Sequence, residues 1–454
     1  QSLQVAVKEN MFGEEITQYF FANNETFYSY ILDKHNIKWH NMTTDWHTMI
    51  IDQDDYAVKH QLYNAKFIHM INKNFEVVWS NQHEPSRGIQ HANNVYMEKF
   101  NHLLKKENIS HDDRNINLIN SDDLPKNFDV LVGGFPCQDY SVANSLRTAK
   151  GIEGIKGVLW WEIVRLIKEL KKKPQYLILE NVDRLLKSPV DQRGRDFAIM
   201  LSVLNDLGYA VEWRIINAAD FGFPQKRKRV FIIAYLGTTF HDIFNYQFKY
   251  KDIKKNDAFH IKGTLPEITN NFGKESKISR FLDSGFCINR KVTTKALTYE
   301  KAKKSIYLGD IIETDINIIE HEFWIDEKDL KKWKVAKGAK KINREDKISG
   351  FQYRFSEGKM SFPDKLNKPS RTIITSEGGK SPSRFKHIIK YQDKYRRLTP
   401  LELERLNMFP DNHTKVGAIK NSTRAFLMGN ALVVGVIEKI GLCIVNLESK
   451  MKKK

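Results

Sequence analysis

Between residues 75 and 234 short apolar runs alternate with amphipathic stretches, and that alternation leaves the chain few folds to choose from. Phe75-Glu-Val-Val-Trp79, Asp129-Val-Leu-Val132, Tyr176-Leu-Ile-Leu179, Glu212-Trp-Arg-Ile-Ile216 and Arg229-Val-Phe-Ile-Ile-Ala234 each read as a strand, being short and rich in β-branched or aromatic residues. Ala92 to Leu104, Leu159 to Leu170 and Asp196 to Leu207 carry apolar residues at helical spacing, and Gly208 stops the last of them. Strands separated by helices predict an α/β domain with a doubly wound, mainly parallel sheet, whose ligands lie at the carboxyl ends of the strands.

From Thr238 to Lys368 the alternation is lost, and strand-like pieces mix with basic clusters such as Lys331-Lys-Trp-Lys334 and Lys340-Lys341. This predicts a smaller β-rich domain over 238–370, inserted before the first domain is complete. Thr399 to Leu406 and Ala431 to Leu447 are helical and apolar enough to return to the core over 371–449. The remaining boundaries are an N-terminal extension of unassigned role over 1–60, the first part of the α/β domain over 61–237, and a disordered tail over 450–454.

Charge then narrows the function. Lys plus Arg number 73 against 55 for Asp plus Glu, a formal +18 with pI near 9.4. Such an excess predicts a polyanionic partner, nucleic acid above all, although any one basic run is also what a solvated face looks like. No run approaches the roughly 18 consecutive apolar residues of a membrane helix. Acids and amides interrupt every apolar run in residues 1–30, unlike a secretory signal. The expectation is a cytoplasmic protein with no membrane partner. Cys137, Cys287 and Cys443 are too few and too scattered for a disulfide framework or a metal cluster.

One of these cysteines is placed for chemistry. Gly133-Gly-Phe-Pro-Cys-Gln-Asp-Tyr-Ser141 follows directly on a strand, which puts the Cys137 thiol at the mouth of an α/β site. A lone cysteine can equally be a buried structural one. Two further windows fall at the same sheet edge: Glu180-Asn181-Val182 ends one strand, and Gln225-Lys-Arg-Lys-Arg229 leads into another. An ordinary solvated ion pair is the bland reading of that carboxylate and cationic cluster. Their coincidence with a potential nucleophile favours a site.

These three windows, with Arg397-Leu-Thr-Pro-Leu-Glu402, Met408-Phe-Pro410 and Gly429-Asn-Ala-Leu-Val-Val434 after them, resemble the ordered motifs of the cytosine-C5 DNA methyltransferases of bacterial restriction–modification systems. The resemblance runs from about residue 75 to residue 445. It implies a Rossmann-like methyltransferase fold with the inserted segment as target-recognition domain, and S-adenosyl-L-methionine as cofactor. It assigns Cys137 as the nucleophile that adds to C6 of a flipped cytosine, Glu180 as the contact to N3 and the exocyclic amine, Arg229 as the contact to the carbonyl at position 2, and Arg227 as a holder of the flipped nucleotide. Around the cofactor it places Pro136, Leu159 and Asn430.

The N-terminal cofactor motifs depart from the family pattern. The register of its Phe-x-Gly-x-Gly turn holds Gln61 to Phe67 without glycine, and the strand after it runs into Ser80-Asn-Gln82-His83 where an acid is expected. Gln82 offers an amide in place of that acid, His83 a ring that would stack on adenine or simply lie on the surface, and Asn115 stands at a third acidic position. The expected partner is double-stranded DNA, with a cognate restriction endonuclease acting separately and the protein itself a monomer. Two alternatives stand beside this reading: a tRNA cytosine-C5 methyltransferase, and a catalytically silent DNA-binding regulator with a degenerate cofactor site.

Overall fold

A computed structural model describes residues 4–9, 74–84, 88–106, 109–135, 158–345 and 352–453. The chain divides into two compact units. One comprises residues 1–217, 228–300 and 435–454, the other 218–227 and 301–434.

The first unit is built on a ten-stranded sheet. Its strands are β1 (Gln4–Glu9), β2 (Phe75–Asn81), β3 (Ser110–Asp112), β4 (Val130–Gly134), β5 (Tyr176–Val182), β6 (Tyr209–Asn217), β7 (Lys228–Leu236), β8 (Tyr250–His260), β9 (Ser284–Ile288) and β10 (Lys291–Tyr299), in the order β3-β2-β1-β4-β5-β7-β6-β9-β10-β8. The sheet is mixed. β2 with β3 and β4 with β5 pair in parallel, while β7 runs antiparallel to both β5 and β6, and β1 antiparallel to both β2 and β4. It follows that β2, β3, β4, β5 and β6 all run in one direction, as the alternation with helices predicts.

Among the described residues the helices of this unit include α1 (His91–Lys106), α2 (Val158–Glu169), α3 (Arg195–Asp206) and α4 (Leu265–Asn271), and the C-terminal helix joins them. Strands β5, β6 and β7 are buried along nearly their whole length, the signature of a sheet covered on both faces. Trp79, Trp160, Leu177, Phe197, Trp213 and Ile232 belong to one continuous core. Six fully buried side chains of this size represent on the order of 10 kcal/mol or more of apolar burial before the opposing chain entropy.

Three boundaries differ from the sequence reading, one being that residues 371–434, expected back in the α/β domain, belong to the second unit. Residues 238–300 continue the large sheet: β9 pairs with β6 through Val211↔Cys287 and Trp213↔Gly285, and β10 and β8 extend it outward. The break therefore falls after Glu300, not at Thr238. The physical reason is long-range pairing, which leaves no mark in local composition. The helix also runs into the expected disordered tail, persisting to Met451 with the Lys452 amide donating to the Glu448 carbonyl at 3.0 Å.

The second unit has two separate two-stranded ribbons, β11 (Lys340–Glu345) with β12 (Gln352–Glu357) and β13 (Ile388–Tyr391) with β14 (Lys394–Arg397). Its helices include α5 (Glu327–Lys337), α6 (Pro400–Leu406) and α7 (Asn421–Asn430). Pro400 starts α6, and Thr399 and Glu402 cap it reciprocally. Buried arginine–carboxylate pairs fix its core: Arg396 with Glu402 at 2.6 Å, Arg405 with Asp411 at 2.6 Å and Arg424 with Glu404 at 2.9 Å. Removing either partner of such a pair leaves an uncompensated buried charge.

The last helix, α8 (Val434–Met451), buries Val436, Ile440, Cys443, Ile444 and Leu447, and Glu448 accepts a hydrogen bond from the Tyr176 hydroxyl. By length and composition the stretch Asn421–Met451 is apolar enough to cross a membrane. It is in fact two helices, interrupted at 431–433, and the apolar face of the second is core.

Candidate active site

In the first unit the candidate site lies where β4 and β5 end and β7 begins. Gly134 closes β4 and stands beside Glu180 in the parallel ladder. Glu180 is the single partly exposed residue of β5, and its Oε2 lies 3.5 Å from where a Cβ on residue 134 would be. Across the antiparallel ladder Arg229 faces Val182, which sets it diagonally from Glu180 on the same face of the sheet. Arg229 Nε stands 3.0 Å from Glu180 Oε1, and Arg229 Nη1 donates to the Lys228 carbonyl at 2.8 Å.

The backbone leading to the cysteine is braced. Asn181 is fully buried; its Nδ2 donates to the Phe135 carbonyl at 3.3 Å and its Oδ1 accepts from the Val182 amide at 2.8 Å. Phe135 is buried with its ring 5.6 Å from that of Trp160 on α2. Pro136 and Cys137 come next in the chain and lie outside the described residues.

Residues of the arginine motif before β7 belong to the second unit. Gln225 is fully buried there, its Oε1 accepting from the Ile373 amide at 3.0 Å and its Nε2 donating to the Leu406 carbonyl and to Asn407 Oδ1. Arg227, expected to hold a nucleotide, is buried instead and donates from Nη2 to the Gly429 carbonyl at 3.1 Å. A burial this deep turns its cation inward as a brace for the segment carrying Asn430. Gly429 cannot be replaced there, since a Cβ would come within 2.5 Å of the Thr375 backbone. Asn430 itself is exposed, with Nδ2 donating to the Phe426 carbonyl at 3.2 Å.

A carboxylate and a guanidinium held side by side at the carboxyl end of a strand suit a ring that offers both a donor and an acceptor. Over residues 67–446 the chain matches the family described as C-5 cytosine-specific DNA methylase. The chain belongs to that family. It is an enzyme that methylates cytosine at C5 in DNA. The Type II methyltransferase M.Sau3AI of Staphylococcus aureus is 43% identical over 395 residues, covering 83% of this chain and 90% of that one. M1.ScrFI of Lactococcus lactis subsp. cremoris is 26% identical over 342 residues, or 74% and 67% of the two chains. Among solved structures, the Entamoeba histolytica methyltransferase EhMeth shares the fold with a TM-score of 0.50 at 15% identity, over 80% of this chain and 89% of that one.

Methylases of this family draw their methyl group from S-adenosylmethionine, so the carboxyl ends of β2 and β3 can be tested for fit. Gln82 follows β2; its backbone amide donates to the Asp112 carbonyl at 3.1 Å, while its buried Nε2 has no partner among the described residues. An orphaned buried amide at a strand's carboxyl end fits a hydroxyl or ring nitrogen of a nucleoside. His83 is only partly buried, and its Nδ1 is tied to the Asp113 carbonyl at 2.9 Å, which fixes the ring. Asn115 caps a short turn by accepting from the Asn117 amide, and Leu159 is a half-buried residue of α2 packed on the core. The sequence reading passed over Asp112, which Arg114 pairs at 2.5 Å, and Glu84, a buried carboxylate accepting from the Ala92 amide at 2.7 Å at the start of α1. Glu84 was legible as an acid in the turn before a helix.

Proposed function

We propose that this chain methylates C5 of a flipped cytosine within a specific duplex sequence, through a covalent bond between Cys137 Sγ and C6 of the base. The observation that carries this reading is the Glu180–Arg229 pair at the sheet edge from which the cysteine loop departs. Carbon 5 of cytosine is a poor nucleophile, and addition of a thiolate at C6 makes it an enamine-like one. The π electrons of the C5–C6 bond then spread toward N3 and the ring carbonyl; Arg229 stabilises the charge on the carbonyl oxygen, and a proton held between Glu180 and N3 neutralises the charge there. Glu180 contacts N3 and the exocyclic amine, and Arg229 donates to the carbonyl oxygen. After C5 has taken the methyl group, a base from solvent accepts its proton; the C–H electrons restore the C5–C6 bond and expel the Cys137 thiolate. Because a stacked base cannot reach such a pocket, the nucleotide leaves the duplex.

S-adenosylmethionine supplies an electrophilic methyl group, and Gln82, His83, Pro136, Leu159 and Asn430 are the residues we assign to holding it. Asn115 serves more simply as a turn cap. Asn181, Phe135 and Arg227 act as positioning residues. The protein works as a monomer in the bacterial cytoplasm, beside a restriction endonuclease that cuts the same unmethylated sequence.

Transfer of labelled methyl from S-adenosylmethionine to duplex DNA tests this, with Cys137→Ala as control and tRNA as competitor. A 5-fluorocytosine target adds a second readout, because fluorine cannot leave C5 as a proton does and the adduct stays covalent. Incorporation without Cys137, or no denaturation-stable adduct, would sink the covalent mechanism.

A further inference from the structure

We infer that the β11–β12 ribbon of the second unit is the sequence reader, lying in the major groove of the DNA with Asn343 and Arg354 against base edges. This rests on the DNA methylase reading and deepens it. The register pairs Lys341 with Ser356, Asn343 with Arg354 and Glu345 with Gln352, so these six side chains share one face. All six are exposed, and none is apolar. The opposite face differs: Ile342 and Phe355 are paired on it, the Arg344 guanidinium lies 3.8 Å over the Phe355 ring, and Glu357 is ion-paired at 2.5 Å with Arg384. That face carries the ribbon's apolar residues and its tie to Arg384, although Ile342 and Arg344 on it are also exposed; the wholly polar face has no apolar residue to cover.

An isolated two-stranded ribbon is marginally stable in water, so six pairs with a wholly polar outer face serve something other than a core. The groove of B-DNA admits a two-stranded ribbon, and about 20 Å of strand spans on the order of six base pairs. The ribbon's strands hold four cations, Lys340, Lys341, Arg344 and Arg354, against two carboxylates, which suits a polyanion. The outer face has the chemistry of base reading at its centre. Arg matches the paired acceptors of guanine, and Asn the donor and acceptor of adenine, each through two hydrogen bonds. Glu345 accepts from Gln352 Nε2 at 3.0 Å, so this flanking pair has its orientation set.

The test begins by mapping which cytosines the wild-type protein methylates in a pool of random duplexes. Arg354→Ala, Asn343→Ala and Arg354→Lys are then run on the same pool, with melting temperature and the salt dependence of DNA binding as controls. The expected result is roughly a ten- to hundredfold loss on the preferred sequence, with discrimination relaxed at one base position for each residue. Arg354→Lys should behave like Arg354→Ala, since a point charge does not replace the two-pronged contact. A uniform loss across all sequences, rescued by Arg354→Lys and matched by a salt slope shallower by about one, would make Arg354 a phosphate contact and overturn the proposal. An unchanged sequence preference in all three variants would overturn it as well. No methylation of any duplex by the wild type would refute the function beneath it, a result distinct from either.

Discussion

Arg229 and Glu180 meet at 3.0 Å across a diagonal of the β5–β7 ladder, each with less than a fifth of its side chain exposed. Neither is needed for the core, because the strand residues on either side supply that. The pair holds two opposite charges in fixed positions at an opening, an arrangement in which electrostatic stabilisation needs little reorganisation during reaction.

Loss of either member should therefore appear in turnover. Glu180→Gln and Arg229→Ala are each expected to lower kcat by about a hundred- to a thousandfold, with a smaller effect on melting temperature. The double variant should fall well short of the product of the two losses, since both act on one ring. Single-turnover methyl transfer measures this. Losses that multiply would mean that the two groups work independently.

The thiols make a second prediction. Cys287 and Cys443 are buried, and burial pushes both thiols up to about 12, so neither supplies thiolate near neutral pH. Alkylation of the native protein at pH 8 should accordingly label Cys137 alone. Peptide mapping of the adduct decides it, and Cys137→Ala should take up no label until it is unfolded.

How much of this could be read from the chain depended on distance along it. Glu180 was legible because an apolar run stops on an acid, and Arg229 because a basic cluster precedes one. Arg227 carries the same local signal, yet its partner is the Gly429 carbonyl, 202 residues away, and only the fold turns it inward. Gln225 likewise looks like a linker residue until Ile373, Leu406 and Asn407 close around it. The strands of 250–299 were visible as strands, but their attachment to β6 is a matter of register between distant segments. Asn343 follows the Lys340-Lys341 cluster and Arg354 stands between Tyr353 and Phe355, with nothing local to join them; their shared face appears only once the ribbon is paired.

Gln82 is the residue on which cofactor affinity should turn. Its buried side-chain Nε2 lacks a partner among the described residues, so Gln82→Ala removes a donor to what binds there. One lost hydrogen bond corresponds to about a tenfold rise in the KM for S-adenosylmethionine, with kcat at saturation little changed. Initial rates over a range of cofactor concentrations would show it. A KM equal to the wild-type value would move the cofactor's polar contacts away from the end of β2.

Stability carries its own pH signature, located at Glu212. This carboxyl is buried on β6, where it accepts from the Tyr235 hydroxyl at 3.0 Å and the Ile243 amide at 2.8 Å. Burial, opposed by those hydrogen bonds, pushes it up to about 7 from an ordinary 4.5. Between those values the folded chain holds a proton that the unfolded chain has released. The stabilisation is thus complete below about 4.5 and is lost as pH rises through 7, a change on the order of 3 kcal/mol. Glu212→Gln cannot titrate, and it keeps an oxygen for the Ile243 amide. The melting temperature of the wild type minus that of the variant should fall by several degrees from pH 5 to pH 8. Taking the difference removes other groups in the window, including His111, whose pKa burial lowers and whose contribution therefore has the opposite sign. A difference that stays constant over this range would show that Glu212 is ionised in the fold throughout.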